Sequence, residues 1–184
     1  MGLFETNNNN FNMSGVGEAA LALGLISSII TIIDTAKKIY EAANDANGLP
    51  KAFNDVAAKL PLVTLLLEEA EAYTQRTDVD PKVCSAFSSI LVSCRKNAND
   101  LQEIFQKVVP KGGAPRWVRY QTAARRLGKG RQVEDLIADI LDSLNLMSNV
   151  HSFPEAMQRE LARSLEEVLE MKPTLVNYQP TQQC

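Results

Sequence analysis

Apolar residues recur along most of this chain at steps of three and four, the spacing that lines one face of an α-helix. The pattern is densest from Val16 to about Asp45. Ala19 through Ile33 (AALALGLISSIITII) carries no charge, and Asp34, Lys37, Lys38 and Glu41 then restore polarity. Asn47-Gly48 supplies a C-terminal stop, and Pro50 restarts the chain. A second pattern, from Pro50 to about Arg76, aligns Phe53, Val56, Leu60, Val63, Leu67 and Ala70. Pro61 falls inside it. A proline lacks the amide hydrogen and clashes with the preceding turn, so this helix is expected to kink or split.

Asp80-Pro81 opens a third helix, with Asp80 as N-cap and Pro81 in the first helical position. Phe87, Leu91, Cys94, Ala98, Leu101, Phe105 and Val108 follow at steps alternating between four and three, the seam of a bundle helix. Pro110, Gly112, Gly113 and Pro115 break the chain. A short helix is expected at about 116–126 and is interrupted by Gly128 and Gly130. The next, at about 131–149, gathers Val133, Leu136, Ile137, Ile140, Leu144 and Met147 on one side, with Glu134, Asp135, Asp139 and Asp142 on the remainder. The last, at about 154–171, carries Met157, Leu161, Leu165 and Val168. No segment alternates with period two. The predicted fold is all-α, an antiparallel helical bundle of five to six helices with a hydrophobic N-terminal helix. Residues 1–14, rich in asparagine, read as a disordered polar tail, 15–171 as the bundle and 172–184 as an exit linker.

Composition agrees with a single bundle. Of 184 residues, 45% are hydrophobic and 22% charged, which excludes a mainly disordered chain and a polytopic membrane protein. Aromatic residues make up 6%, too few for a sandwich or barrel. Cys84 and Cys94 stand ten residues apart in one predicted helix, about 15 Å along its axis, beyond the reach of a disulfide. With Cys184 the odd one left, a reducing intracellular setting is expected. The first basic residue is Lys37, so the N-terminus is no secretory signal. Its opening does match the loose myristoylation pattern, with Gly2 as acceptor and Thr6 at the favoured position.

Catalytic patterns are missing. The chain has no G-x-S-x-G, no H-E-x-x-H and no phosphate loop; Leu127-Gly128-Lys129-Gly130 lacks the spaced first glycine and follows a helix rather than a strand. His151 is the single histidine, at a helix end, where a capping or solvent role suits it. The pairs Glu68/Glu69 and Glu166/Glu167 read as solvated charge. No enzyme, cofactor or metal site is expected.

Two features stand above this background. The first is the uncharged run. Its fifteen residues span about 22 Å, short of the roughly 30 Å hydrocarbon core; extension back to Met13 reaches about 31 Å but takes in Glu18. Ala20, Gly24 and Ser28 form a ridge of small residues that permits close helix approach. Gly24 in mid-helix costs about 1 kcal/mol relative to alanine, which close packing would offset. The run suits the buried central helix of a bundle, or a segment conditionally exposed for membranes or self-association. Its candidate residues are Leu21, Leu23, Gly24, Leu25, Ile26, Ile29, Ile30, Ile32 and Ile33. At rest, this helix is expected to be largely buried.

The second feature is charge segregation. The net charge is −3, yet no acidic residue lies between Glu103 and Glu134, an interval that holds Lys107, Lys111, Arg116, Arg119, Arg125, Arg126, Lys129 and Arg131. Trp117 and Tyr120 are interleaved. Pairing with acidic helices of the same bundle, attraction to anionic lipid and contact with nucleic acid are the readings such a stretch allows. No nucleic-acid motif accompanies the charge, and no nucleic-acid partner is expected.

The stretches GEAALALGLISSIITIIDTAKKIYEAANDANGLPKAFNDVAAKLPLV (17–63) and RWVRYQTAARRLGKGRQVEDLIADIL (116–141) resemble the SesA-type N-terminal domain of fungal NACHT and other STAND (NOD-like receptor) proteins, a group related in kind to the HeLo and HeLo-like cell-death domains. Gly48-Leu49-Pro50, Leu60-Pro61-Leu62 and Arg126-Leu127-Gly128-Lys129-Gly130 are the more specific parts. The resemblance spans about 13–150. It implies a cytoplasmic effector or signalling domain of fungal allorecognition and regulated cell death, which oligomerises and perturbs the plasma membrane through its N-terminal helix. The partners implied are further helical bundles of its own kind, anionic lipids on activation, and a STAND/NACHT receptor in cis or trans. A soluble adaptor acting by homotypic contact is the alternative.

Overall fold

A computed structural model describes residues 13–43, 48–128 and 131–175. Among them are seven helical segments: α1 (Met13–Ala42), α2 (Lys51–Ala57), α3 (Leu60–Thr74), α4 (Pro81–Val108), α5 (Arg116–Arg126), α6 (Val133–Val150) and α7 (Glu155–Leu169). The expected bundle forms. The second apolar pattern divides at Pro61, which stands in the first turn of α3 where its missing amide costs nothing. Local chemistry sets the other boundaries. Asp80 accepts the Lys82 amide at 2.9 Å to cap α4, and Gly128, with φ +82°, ends α5 in the left-handed conformation open to glycine.

Ring and charge contacts fix the helix directions. Glu18 faces Cys84 at one end of α1 and α4, while the Tyr40 ring lies 6.1 Å from Phe105 at the other, so these two helices run parallel. The Tyr73 ring at the end of α3 meets Phe87 near the start of α4 and stacks on His151 at 3.6 Å, where α6 finishes. Thus α3 and α6 run upward between the descending α1, α4 and α7. Lys59 pairs with Glu167, closing α7 onto the start of α3.

The predicted seams make the core. All seven seam residues of α4 are buried, as are Phe53, Val56, Leu60, Val63, Leu67 and Ala70. The aromatic centre sits low in the bundle, where Phe53 packs 5.3 Å from Phe105 and 5.0 Å from Tyr120. Cys84 and Cys94 are buried free thiols.

Candidate functional site

The first helix lies on the outside of the bundle, packed along α4 and α3 by one face. Leu25, Ile26, Ile29 and Ile33 of the candidate set are buried there together with Ala22 and Ala36. Leu23, Ile30 and Ile32 are half-buried, whereas Leu21 is 57% exposed and Gly24 is open to solvent. The expectation of a largely buried helix is therefore corrected to one-sided burial. The reason is architectural: α4 holds the middle of the bundle, flanked by α1, α5 and α6, and α1 has neighbours on one side. The close packing expected at Gly24 is likewise absent, since a methyl group added there would meet no atom within 4 Å. Thr31 and Thr35 donate their hydroxyls to the carbonyls of Ser27 and Thr31, at 3.0 and 2.8 Å, which satisfies two polar groups within the helix itself.

The basic stretch gathers at the far end of the bundle, around α5. Its members divide by what they touch. Arg116 is 9% exposed and donates to the Val109 carbonyl at 2.8 Å. Arg119 donates to three carbonyls, of Ala114, Lys107 and Pro110, at 3.0, 2.9 and 2.7 Å. These two guanidiniums fasten the loop that turns on Gly112 and Gly113 (φ +107° and +71°). Lys107 pairs with Glu103, and Arg131 bonds Asn97 at 2.9 Å and pairs with Asp139. Arg125, Arg126 and Lys111 remain on the exposed surface. Lys129 lies outside the described residues, as do Gly2, Cys184 and most of the predicted N-terminal tail.

Tyr120, interleaved with the arginines in sequence, does not share their surface. In the fold it is fully buried, the keystone of α5, and burial together with the Glu134 carboxylate pushes its phenol well above the ordinary tyrosine range. Trp117 is half-buried beside it, with ring centroids 6.1 Å apart.

Two polar features at this end are not evident from the spacing of apolar residues. Glu134 was placed on the polar side of α6, yet it is three residues before Ile137 and seven before Leu141, on the same stripe, and it is buried. Gln132 caps α6 and forms a capping box with Asp135, a signal legible in Gln-x-x-Asp once glutamine is admitted at the cap. At the opposite end His151 ends α6 and stacks on Tyr73; burial and the nearby Arg76 hold its imidazole below the ordinary histidine range.

A sequence model of the SesA family, described as the N-terminal domain on NACHT NTPases and P-loop NTPases, matches residues 26–147. The chain belongs to the SesA family. The SesA match runs from the middle of α1 to near the end of α6 and so contains Ile26, Ile29 and Ile33 of α1, the α4 seam and the whole of the basic α5 end. Membership places the chain among N-terminal effector or signalling domains of NACHT-type receptors. No curated protein and no solved structure matches it.

Proposed function

We propose that this SesA domain is the executing module of a NACHT-type receptor, a non-enzymatic bundle that self-associates and disturbs the plasma membrane through α1 in regulated cell death. One observation carries the reading. The stretch Val16–Ala42 of α1 is long and apolar enough to cross a membrane: its most apolar 18-residue window has a mean hydropathy of 2.0, and only 28% of that window is buried. An ordinary surface helix would show polar residues on its outer face. Over the uncharged run that face is Ala20, Leu21, Gly24, Ser27 and Thr31, and the first exposed charges on the helix beyond it are Lys38 and Glu41. Lipid contact would cost this face little, and the exposed Arg125 and Arg126 would favour an anionic leaflet by about 1 kcal/mol each.

Dye release from anionic vesicles tests this reading. Leu21→Asp places a charge on the outer face and spares the core, so it should abolish release while leaving the fold intact. If the wild-type domain, forced together through a fused oligomer, releases no dye, the membrane reading fails. The open small-residue face of α1 favours a second reading, in which the domain acts as an adaptor by packing α1 against a like helix. Gel filtration would then show a defined oligomer that ignores vesicles.

A further inference from the structure

Residues 172–175, which leave α7, fold back across the lower end of the bundle. The Glu134 carboxylate, on a residue 5% exposed, accepts both the backbone N–H and the hydroxyl of Thr174 through Oε1. The Leu175 N–H donates to Gln132 Oε1, so the residue that caps α6 also anchors the exiting chain. The Tyr120 hydroxyl completes the junction. It accepts the Val133 amide at 3.1 Å, lies 3.2 Å from Thr174 Oγ1, and stands 3.5 Å from Glu134 Oε2. Tyr120 belongs to α5, Glu134 and Gln132 to α6, and Thr174 and Leu175 to the exit. Helices α5 and α6 and the exit chain thus share one polar knot around the buried Glu134 carboxylate. The same chain walls a groove of about 630 Å³ with Lys51, Lys59 and Glu167.

A buried carboxylate that loses its donors bears the full cost of its desolvation. If the exit chain departs, Glu134 must either draw in water or turn outward, and both routes disturb the Tyr120 hydroxyl. Tyr120 is what seats α5 on the Phe53 ring. We propose that residues 172–175 are a regulatory strap: seated, they lock the basic helix α5 onto the core, and drawn away, they loosen it. The family is described as an N-terminal domain on NTPases, so in such proteins the segment that follows α7 leads in sequence toward the NTPase. A movement there biases a two-state element in the bundle. The link to membranes rests on the reading of the α5 end proposed above; the strap itself does not.

Hydrogen exchange on the full chain tests this. Thr174→Pro with Leu175→Pro removes all three donors without entering the helices. Amides of α5 should then exchange about tenfold faster, with α1 and α4 unchanged. Tyr120→Phe should loosen α5 similarly, and adding it to the strap variant should give little further effect, because both act on one knot. Unchanged α5 exchange overturns the proposal, and so does equal acceleration in every helix, which would make the strap a general stabiliser only. Binding to anionic and neutral vesicles is measured on the same variants. Faster α5 exchange without vesicle binding upholds the strap and counts against the membrane reading, whereas tighter anionic binding with α5 unchanged overturns the strap alone.

Discussion

The one-sided docking of α1 makes a quantitative demand on two apolar residues eight positions apart. Ile29 is 0% exposed against the core, and Leu21 is 57% exposed on the outer face. Truncating a buried isoleucine to alanine removes its transfer free energy and leaves a cavity, a loss of about 2–5 kcal/mol. For a chain of this size each kcal/mol lowers the melting temperature by about 2–4 °C, so Ile29→Ala should melt about 4–20 °C below the wild type. Leu21→Ala touches little and should change stability by about 0.5 kcal/mol or less. Thermal and urea unfolding followed by circular dichroism would measure both, with an unchanged urea slope confirming that the same surface unfolds. If Ile29→Ala proves as stable as Leu21→Ala, α1 does not rest on α4. If Leu21→Ala costs more than about 2 kcal/mol, the outer face is covered in solution. Either result would refute the arrangement on which the proposed function stands.

Arg119→Ala removes three donors from the loop between α4 and α5, at a cost of about 1–3 kcal/mol, and limited proteolysis should then cut near Gly112-Gly113 while the wild type resists. His151 binds its proton less readily when folded than when unfolded, so its contribution to stability is complete above the ordinary histidine range and is lost as pH falls through that range toward the lower folded value. Unfolding measured from pH 7.5 to 5 (about the window in which histidine titrates) should show that decline, and His151→Phe should flatten it. Burial pushes the Cys94 thiol up to about 12, so a thiol reagent at neutral pH should label it only as fast as the bundle opens; rapid labelling of the native protein would contradict its place in the α4 seam.

The bundle was legible because its helices obey simple periodicity. The α4 seam and the α6 stripe Val133 to Met147 needed only the spacing of apolar residues, and Asp80-Pro81 and Gly128 needed only cap chemistry. What the chain concealed depends on neighbours that no spacing reveals. The charge-free run of α1 has no polar side to mark its outer face, so the helix read as largely buried, and its position at the margin of the bundle became visible only with α4 in place. Arg116 and Arg119 look like Arg125 and Arg126 in sequence; the carbonyls of a loop turned by two glycines separate them. Glu134 read as solvated by default, because its donors arrive from residues forty positions away.

The parallel course of α1 and α4 has a consequence for how such a domain would approach a bilayer. Leu21 and the arginines of α5 stand at opposite poles, and the nineteen helical steps from Leu21 to Tyr40 extend about 28 Å along the axis. A molecule standing on its cationic foot would hold its oily tip roughly that far out in the aqueous phase. Capture and penetration would therefore be successive events with a tilt or an undocking between them: a fast, salt-sensitive arrival followed by a slower step that salt leaves alone.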